Sequence, residues 1–232
     1  MSIAPPRRIR GVLLDVDGTL IDSNRAHAES FADAFQAAGF DITADQVEPL
    51  VGMGGDKLIP RLTNLEAEQG EGKRIAEAKK ERFSTHYLPT LRATRGARQL
   101  VERLQGAGLT VIVATSAGGD EVEGLLRQAG VEDLLTETTT SSDAEDSKPD
   151  PDIIEAALEK GGMQPTDAVM IGDTPYDIEA AGRAGVACIA VRSGGWSDDA
   201  LRGALAIFDD PADLVAHFAD LPFADSLTGA SA

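Results

Sequence analysis

The sequence is poor in cysteine and in aromatic residues. It contains a single cysteine, Cys188, so no disulfide can form within one chain, which fits a reducing compartment such as the cytoplasm. Aromatic residues make up 4% of the 232 residues, whereas hydrophobic residues make up 42%. The chain is therefore apolar enough for a sizeable core, built mainly from aliphatic side chains and alanine. Cys188 itself lies in an apolar run and is expected to be buried.

Positive charge is scarce as well. Lys and Arg number 21 against 39 Asp and Glu, which gives a formal net charge of -18 at pH 7. Binding to a nucleic-acid backbone needs clustered Lys and Arg, so we expect no nucleic-acid partner. No apolar run is long enough to span a membrane, and no signal-peptide core follows residues 1–10. We expect a cytoplasmic protein without a membrane partner, and the sequence leaves its oligomeric state open.

Apolar runs typical of buried strands alternate with amphipathic patterns typical of helices. The strand-like runs cover residues 11–14, 109–114, 168–171, 186–191 and, more weakly, 204–208. The helical patterns cover residues 98–105, 121–129, 151–160 and 178–184, each followed by glycine as expected at a helix C-terminus. This alternation predicts an α/β fold, a doubly wound and mostly parallel sheet with helices on both faces.

One long segment interrupts the alternation. After residue 21 the next convincing strand-like run is the one at 109, and helical patterns cover 26–38, 43–50, 56–62 and a charged stretch at 66–87. Ser23 is a candidate N-cap for the first of these helices. We predict a helical cap at 22–92 inserted into a core formed by 1–21 and 93–232. The small, polar residues at 223–232 predict a disordered tail.

Two acids follow the first strand-like run directly, in the segment Asp15-Val16-Asp17-Gly18-Thr19. Ligands bind at the carboxyl ends of the strands in open parallel sheets. Two carboxylates at such a loop can hold a divalent cation and leave one oxygen free to attack. The alternative is an ordinary solvated turn, since Asp and Gly are common turn residues.

Three further polar groups follow later strands or stand in rigid settings. Thr115 closes the second strand, and its alternative role is a turn that caps the next helix. Lys148 precedes Pro149, which favours an extended backbone there, although a single lysine is usually solvated. Asp173 and Asp177 follow another apolar strand, and Asp177 is also explained by a helix start.

These four segments, in chain order, resemble motifs I to IV of the haloacid dehalogenase-like hydrolase superfamily, and the resemblance spans about residues 12–191. It implies a Rossmann-like core with a helical cap of the C1 type. It also implies that Asp15 is the nucleophile and a metal ligand. Asp17 would be the general acid/base and would offer its backbone carbonyl to the metal. Superfamily members that cleave carbon–halogen bonds lack this second acid, so Asp17 argues against that reaction.

The resemblance assigns the remaining site residues too. The Thr115 hydroxyl and the Ser116 N–H would bind the phosphoryl group, and Lys148 would stabilise its charge. Asp173 would ligate Mg²⁺ directly, and Asp177 would bind it through water or hold its surroundings. The metal, Lys148 and backbone N–H groups then offset the acidic character of the chain locally, so a phosphorylated metabolite is compatible with it.

The resulting hypothesis is Mg²⁺-dependent hydrolysis of a small phosphomonoester through an aspartyl-phosphate, with activity like that of a phosphoglycolate phosphatase. One alternative is a hexose phosphate mutase similar to β-phosphoglucomutase. In that subfamily a Gly-x-x-Arg loop grips the sugar phosphate, and the loop at 52–55 has glycine in place of the arginine. Another alternative is a non-catalytic phosphate-binding module, because fold does not fix function.

Substrate choice is expected to lie in the cap. Lys57 follows the glycine-rich loop and is a candidate contact for a second anionic group of the substrate, or else a solvated lysine beside a flexible turn. His27 lies on the first cap helix and either faces the site or packs at the cap interface. The sequence names no natural substrate.

Overall fold

The computed structural model describes residues 9–221, and six parallel strands form one sheet within this range. The spatial order is β3-β2-β1-β4-β5-β6. The strands are β1 Gly11–Leu14, β2 Thr110–Ala114, β3 Thr138–Thr139, β4 Ala168–Gly172, β5 Ala187–Val191 and β6 Ala206–Phe208. The predicted α/β class with a parallel sheet is confirmed. The sequence analysis missed β3, which has two residues and no apolar run.

Helices cover both faces of the sheet because the strand side chains alternate between them. The helices around the sheet are α5 Ala97–Gly106, α6 Gly119–Gln128, α7 Asp152–Gly161, α8 Pro175–Arg183, α9 Asp198–Leu201 and α10 Pro211–Ala216. In β1, Val12 and Leu14 belong to the apolar cluster that includes side chains of α5, α6 and α10, whereas Leu13 belongs to the cluster of α7 and α8. The sheet is therefore doubly wound, as predicted.

The helical segment after β1 has an apolar cluster of its own. Its helices are α1 Asn24–Ala37, α2 Ala44–Val47, α3 Gly55–Thr63 and α4 Gly70–Arg82, which continues as a π-helical turn at Phe83–Tyr87. Phe35, Leu58, Ile59 and Ile75 are almost fully buried in this cluster. A separate cluster of this kind supports the proposed division into a cap at 22–92 and a core.

The two chain crossings between the cap and the core are paired with each other. The Asp22 N–H donates to the Arg92 carbonyl at 2.9 Å, and Ile21 and Ala93 form an antiparallel bridge. The Thr94 N–H donates to the Leu20 carbonyl at 3.0 Å. Entry and exit of the cap thus form one short two-stranded connection at 20–22 and 92–94.

Two sequence predictions concern the N-cap of α1 and the C-terminal tail. Ser23 does occupy the N-cap position of α1, but its side chain makes no capping hydrogen bond and is engaged elsewhere, as described below. The predicted disordered tail at 223–232 lies outside the described residues. Within the described residues, no helix has both the length and the apolar character needed to cross a bilayer.

Candidate active site

The sheet brings the predicted acids to one edge. Strands β2, β1 and β4 are neighbours, and Asp15, Thr115 and Asp173 each follow one of them directly. Asp177 lies in the first turn of α8, next to Asp173. Asp15, Asp173 and Asp177 each offer one oxygen, and these oxygens all lie within 4.8 Å of one another. Side chains that are as many as 162 positions apart in sequence, Asp15 and Asp177, are therefore grouped closely enough to share one ion.

Lys148 lies at the centre of this group. Its ammonium donates to Asp15 Oδ1 at 2.7 Å, to Asp177 Oδ1 at 2.7 Å and to the Ala114 carbonyl at 2.8 Å. These bonds use all three donors of the lysine, which is 1% exposed. Burial favours the neutral amine, but the charges of Asp15 and Asp177 outweigh it and raise the pKa of Lys148. The lysine is therefore a fixed buried cation rather than a solvated one.

One lysine does not balance the negative charge of three buried carboxylates. Burial raises the pKa of Asp15 to about 7 even though the Lys148 charge lowers it. Burial, followed by the charges of Asp177 and Asp15, raises the pKa of Asp173 well above its usual value. Buried charges are stable when they are paired or bind a metal. The cluster thus has the excess negative charge that a divalent cation would neutralise.

The surroundings of Asp173 also fit a cation. Asn24, the first residue of α1, donates through Nδ2 to Asp173 Oδ2 at 2.8 Å and to the Gly194 carbonyl at 3.1 Å. Its other amide atom, Oδ1, is a buried acceptor without a hydrogen-bond partner. The atoms available to bind a metal ion here are the carboxylate oxygens and Asn24 Oδ1. All of them are oxygens, which is the ligand type that Mg²⁺ prefers. The residues present therefore fit a magnesium ion.

Asp177 is held firmly in place. Its Oδ2 accepts from the Thr174 hydroxyl at 2.7 Å and from the backbone N–H of Thr174 at 3.0 Å, while Oδ1 accepts from Lys148. With both oxygens already engaged, Asp177 is better suited to orienting Lys148 and the loop after β4 than to surrounding an ion by itself.

Asp17 faces away from this cluster, toward the cap. Its Oδ1 accepts from the Ser23 hydroxyl at 2.5 Å and lies 2.8 Å from His27 Nε2. The His27 ring stacks on Phe83, with ring centroids 4.0 Å apart and an interplanar angle of 8°. Burial raises the pKa of Asp17, but His27, the Ser23 hydroxyl and the Lys79 charge together outweigh it and lower that pKa. Of the two positions considered for His27, the structure gives the one that faces the site.

A narrow cavity of about 80 Å³ lies between cap and core beside these groups. Thr115 and Ser116 contribute to its wall. The Thr115 hydroxyl accepts from the Ala117 N–H at 3.1 Å, so it forms the alternative turn while keeping its own O–H free to donate. The complete lining is Asp15, Asp17, His27, Phe31, Val51, Gly52, Met53, Gly54, Gly55, Lys79, Thr115, Ser116, Ala117 and Glu121.

Lys57 does not line this cavity. It forms ion pairs with Asp146 and, at 3.0 Å, with Asp150, both of which belong to the core. The lysine on the cavity wall is Lys79 of α4, which pairs with Glu121 of α6. The sequence analysis did not single out Lys79, Glu121, Asn24 or Phe83. Helical periodicity reveals which face of a cap helix is apolar, but not which polar side chain meets the core.

Residues 12–191 match the sequence model of the family described as Haloacid dehalogenase-like hydrolase. This stretch is most of the chain and contains every site residue discussed above. The protein belongs to this hydrolase family.

Two individual proteins are similar to this chain in sequence. The chain is 32% identical over 225 residues to a phosphoglycolate phosphatase of Rhodospirillum rubrum, covering 88% of this chain and 89% of that protein. It is also 32% identical over 193 residues to the protein SUPPRESSOR OF QUENCHING 1, chloroplastic, of Arabidopsis thaliana. There it covers 80% of this chain but only 18% of the much longer relative.

Solved structures share the fold over nearly the whole chain. A hydrolase from Pseudomonas syringae has a TM-score of 0.85 at 27% identity, covering 91% of this chain and 98% of the other. CbbY from Rhodobacter sphaeroides in complex with phosphate has a TM-score of 0.74 at 28% identity, covering 89% and 96%. The similarity therefore extends over both the core and the helical insertion.

Proposed function

We propose that the protein is a phosphatase that hydrolyses small phosphomonoesters with Mg²⁺, through an aspartyl-phosphate (an acyl phosphate) formed on Asp15. The observation that carries the proposal is the arrangement of Lys148, which holds one oxygen of Asp15 inside a cluster of three carboxylates. The phosphoglycolate phosphatase relative and the phosphate complex of CbbY support this class of substrate.

Asp15 is well placed to be the nucleophile. Lys148 engages Oδ1, and the other oxygen, Oδ2, has only a long contact of 3.4 Å with the Thr19 hydroxyl. Oδ2 attacks phosphorus, the bond from phosphorus to the ester oxygen breaks, and the leaving oxygen takes a proton from Asp17. The product alcohol then departs, and the phosphoryl group remains on Asp15.

Hydrolysis of this intermediate reverses the role of Asp17. The carboxylate now takes a proton from a water molecule, whose oxygen attacks phosphorus and releases inorganic phosphate and free Asp15. His27 and Ser23 favour the ionised form of Asp17 and fix its orientation, so the residue is prepared as the base of this second step. Such positioned proton transfer contributes roughly 10²–10⁴ to a rate.

The metal and the hydrogen-bond donors divide the task of charge compensation. When bound at Asp15 and Asp173, with the backbone carbonyl of Asp17, Mg²⁺ would offset the charge of the nucleophile and of the phosphate. Lys148 supplies a fixed positive charge at Oδ1 of Asp15. Thr115 and the Ser116 N–H remain available at the cavity wall to hold phosphate oxygens.

The first test is hydrolysis of p-nitrophenyl phosphate with and without Mg²⁺, by wild type and by Asp15→Asn. We expect release of p-nitrophenol only by the wild type and only with the metal. Equal rates for both proteins would contradict the role of Asp15, and no rate in either would favour a non-catalytic phosphate-binding module.

The products formed from a panel of substrates then decide between a phosphatase and a hexose phosphate mutase. We expect free phosphate from a panel that includes phosphoglycolate, ranked by kcat/KM. Isomerisation of β-glucose 1-phosphate without release of phosphate would instead identify a mutase.

A further inference from the structure

A buried ion pair crosses from the cap to the core at the cavity wall. Lys79 of α4 donates to both carboxylate oxygens of Glu121 in α6, at 3.1 and 3.2 Å. The side chains are only 11% and 10% exposed. The catalytic steps described above use neither residue, although both line the cavity in which the substrate would lie.

The lysine of this pair is held on several sides. Its ammonium lies 4.7 Å from the centroid of the Phe83 ring and 5.3 Å from that of Phe31, within the range of cation–π contacts. Glu121 occupies a further side. Among the described residues that line the cavity, Lys79 is the sole lysine, and no arginine accompanies it. Glu121 therefore neutralises the cation that would otherwise attract a second anionic group.

We propose that Glu121 is a specificity-determining residue that makes the enzyme prefer phosphomonoesters with a small, hydroxylated and uncharged leaving group. Leaving groups that carry a carboxylate or a second phosphate are disfavoured, so phosphoglycolate should rank below an uncharged polyol phosphate in the substrate panel. This inference rests on the proposed phosphatase function and deepens it by naming the class of substrate.

Charge is the first reason for this preference. A second anion on the substrate would have to approach Glu121 in order to reach Lys79, and like charges in close contact are strongly unfavourable away from water. Asp15 and Asp17 also line the cavity, so its wall already carries more acids than lysines. The transferred phosphate itself is served separately, by Lys148 and by the metal site.

Hydrogen-bond capacity is the second reason. An ammonium is only a donor and a carboxylate only an acceptor, so the pair presents both kinds of group side by side. A hydroxyl group can accept from Lys79 and donate to Glu121 at the same time, whereas a carboxylate can only accept. Lys79 and Glu121 line the same cavity as Asp15, so the matching hydroxyl is one carried on a short chain next to the phosphate, as in a short-chain polyol phosphate.

Two substrates of nearly equal size provide the test. Glycerol 3-phosphate and 3-phosphoglycerate differ in that the terminal hydroxymethyl group of the first is a carboxylate in the second. The measurement is kcat/KM for each at saturating Mg²⁺, with wild type, Glu121→Gln and Glu121→Ala. Glu123→Gln is the matched control, because Glu123 lies on the same helix with its side chain 72% exposed.

We expect the wild type to prefer glycerol 3-phosphate by about tenfold or more, since adjacent like charges are strongly unfavourable. Both Glu121 variants should reduce this ratio about tenfold, chiefly by improving 3-phosphoglycerate, and Glu123→Gln should leave it unchanged. Glu121→Ala gives a second reading if Glu121→Gln does not fold.

Two results would overturn the inference. One is a wild type that prefers 3-phosphoglycerate, and the other is an unchanged ratio in folded Glu121 variants. Hydrolysis of p-nitrophenyl phosphate separates these results from failure of the proposed function: a wild type that hydrolyses it but shows no such preference refutes only the role of Glu121. A wild type that hydrolyses nothing refutes both.

Discussion

At the scale of single residues, the contact between His27 and Asp17 separates this site from a simple metal-binding loop. His27 is buried, the Asp17 side chain is 15% exposed, and the stacked Phe83 ring restricts the plane of the imidazole. Because His27 contacts the proposed acid/base directly, we infer that it is a positioning residue for Asp17. Its loss should therefore affect the chemical step and its pH dependence more than substrate binding.

We predict that His27→Asn lowers kcat for p-nitrophenyl phosphate about tenfold or more, a part of the 10²–10⁴ that positioned proton transfer supplies. KM should change little. Because His27 lowers the pKa of Asp17, its removal raises that pKa, and the acid side of the pH profile should move to higher pH. His86→Asn, at an exposed position, is the control. An unchanged profile would refute a positioning role for His27.

Gly18 shows why glycine follows the two acids. Its φ is +68°, and a Cβ atom there would lie 2.2 Å from Asp173 Oδ2 and 2.6 Å from Asn24 Nδ2. Any side chain would therefore displace the very groups that fit the metal.

Gly18→Ala is predicted to abolish Mg²⁺-dependent activity. Gly39→Ala is a matched control, since Gly39 also has a positive φ, +86°, but no atom lies within 4 Å of its Cβ position. The control should lose about 1–2 kcal/mol of stability from backbone strain alone and keep its turnover. Comparable activity in the two variants, measured after checking that each is folded, would argue against crowding at Asp173.

At the scale of helices and strands, the sequence predicted those elements whose pattern is local. The apolar runs at 109–114 and 186–191 correspond to β2 and β5. β3 could not be found, because Thr138–Thr139 has neither length nor apolar character and is defined by pairing with β2. The fold class is confirmed, whereas the domain limits and the roles of the site residues stay predictions.

The cap contributed the residues that sequence reasoning did not find. Asn24 and Lys79 belong to helices whose apolar faces pack within the cap. Their contacts with Asp173 and Glu121 arise from tertiary packing, which the helical pattern in the sequence does not reveal. The motifs at Asp15, Thr115 and Asp173 were readable because each follows a strand in a parallel sheet, where topology alone brings the strand ends together.

Lys57 tests how the cap is held. Its pairs with Asp146 and Asp150 join α3 to the core, and ion pairs at such partly exposed positions contribute about 0–1 kcal/mol each. If Lys57 stabilises the closed cap, Lys57→Gln should raise KM about two- to fivefold by the same factor for every substrate. If it binds a second anionic group, as the sequence predicted, only substrates with that group should be affected. Lys73→Gln, at an exposed position of α4, is the control for lost charge.

At the scale of the whole molecule, an ion bound at the carboxylate cluster would couple ion binding to stability. Three buried carboxylates with one lysine resist full ionisation, so the metal-free protein carries unfavourable charge that the unfolded chain does not. An ion that binds only the folded state stabilises it by mass action.

We predict that Mg²⁺ at about 100 times its Kd stabilises the fold by roughly 2.7 kcal/mol. For a domain of this size that corresponds to a rise in Tm of about 5–10 °C, measurable by thermal unfolding with Mg²⁺ and with EDTA. Asp173→Asn should abolish the rise, whereas Asp198→Asn, at an exposed position, should retain it. A full shift in Asp173→Asn would place the ion elsewhere.

The paired backbone at 20–22 and 92–94 separates the site residues carried by the core from those carried by the cap. Asp15 and Lys148 are fixed to the sheet, whereas His27 is carried by a helix on the far side of that connection. If the cap moves about this connection when substrate enters, His27 moves with it and its contact with Asp17 is broken. The nucleophile would then be assembled once, when the protein folds, whereas the proton-transfer pair would form again each time the cap closes.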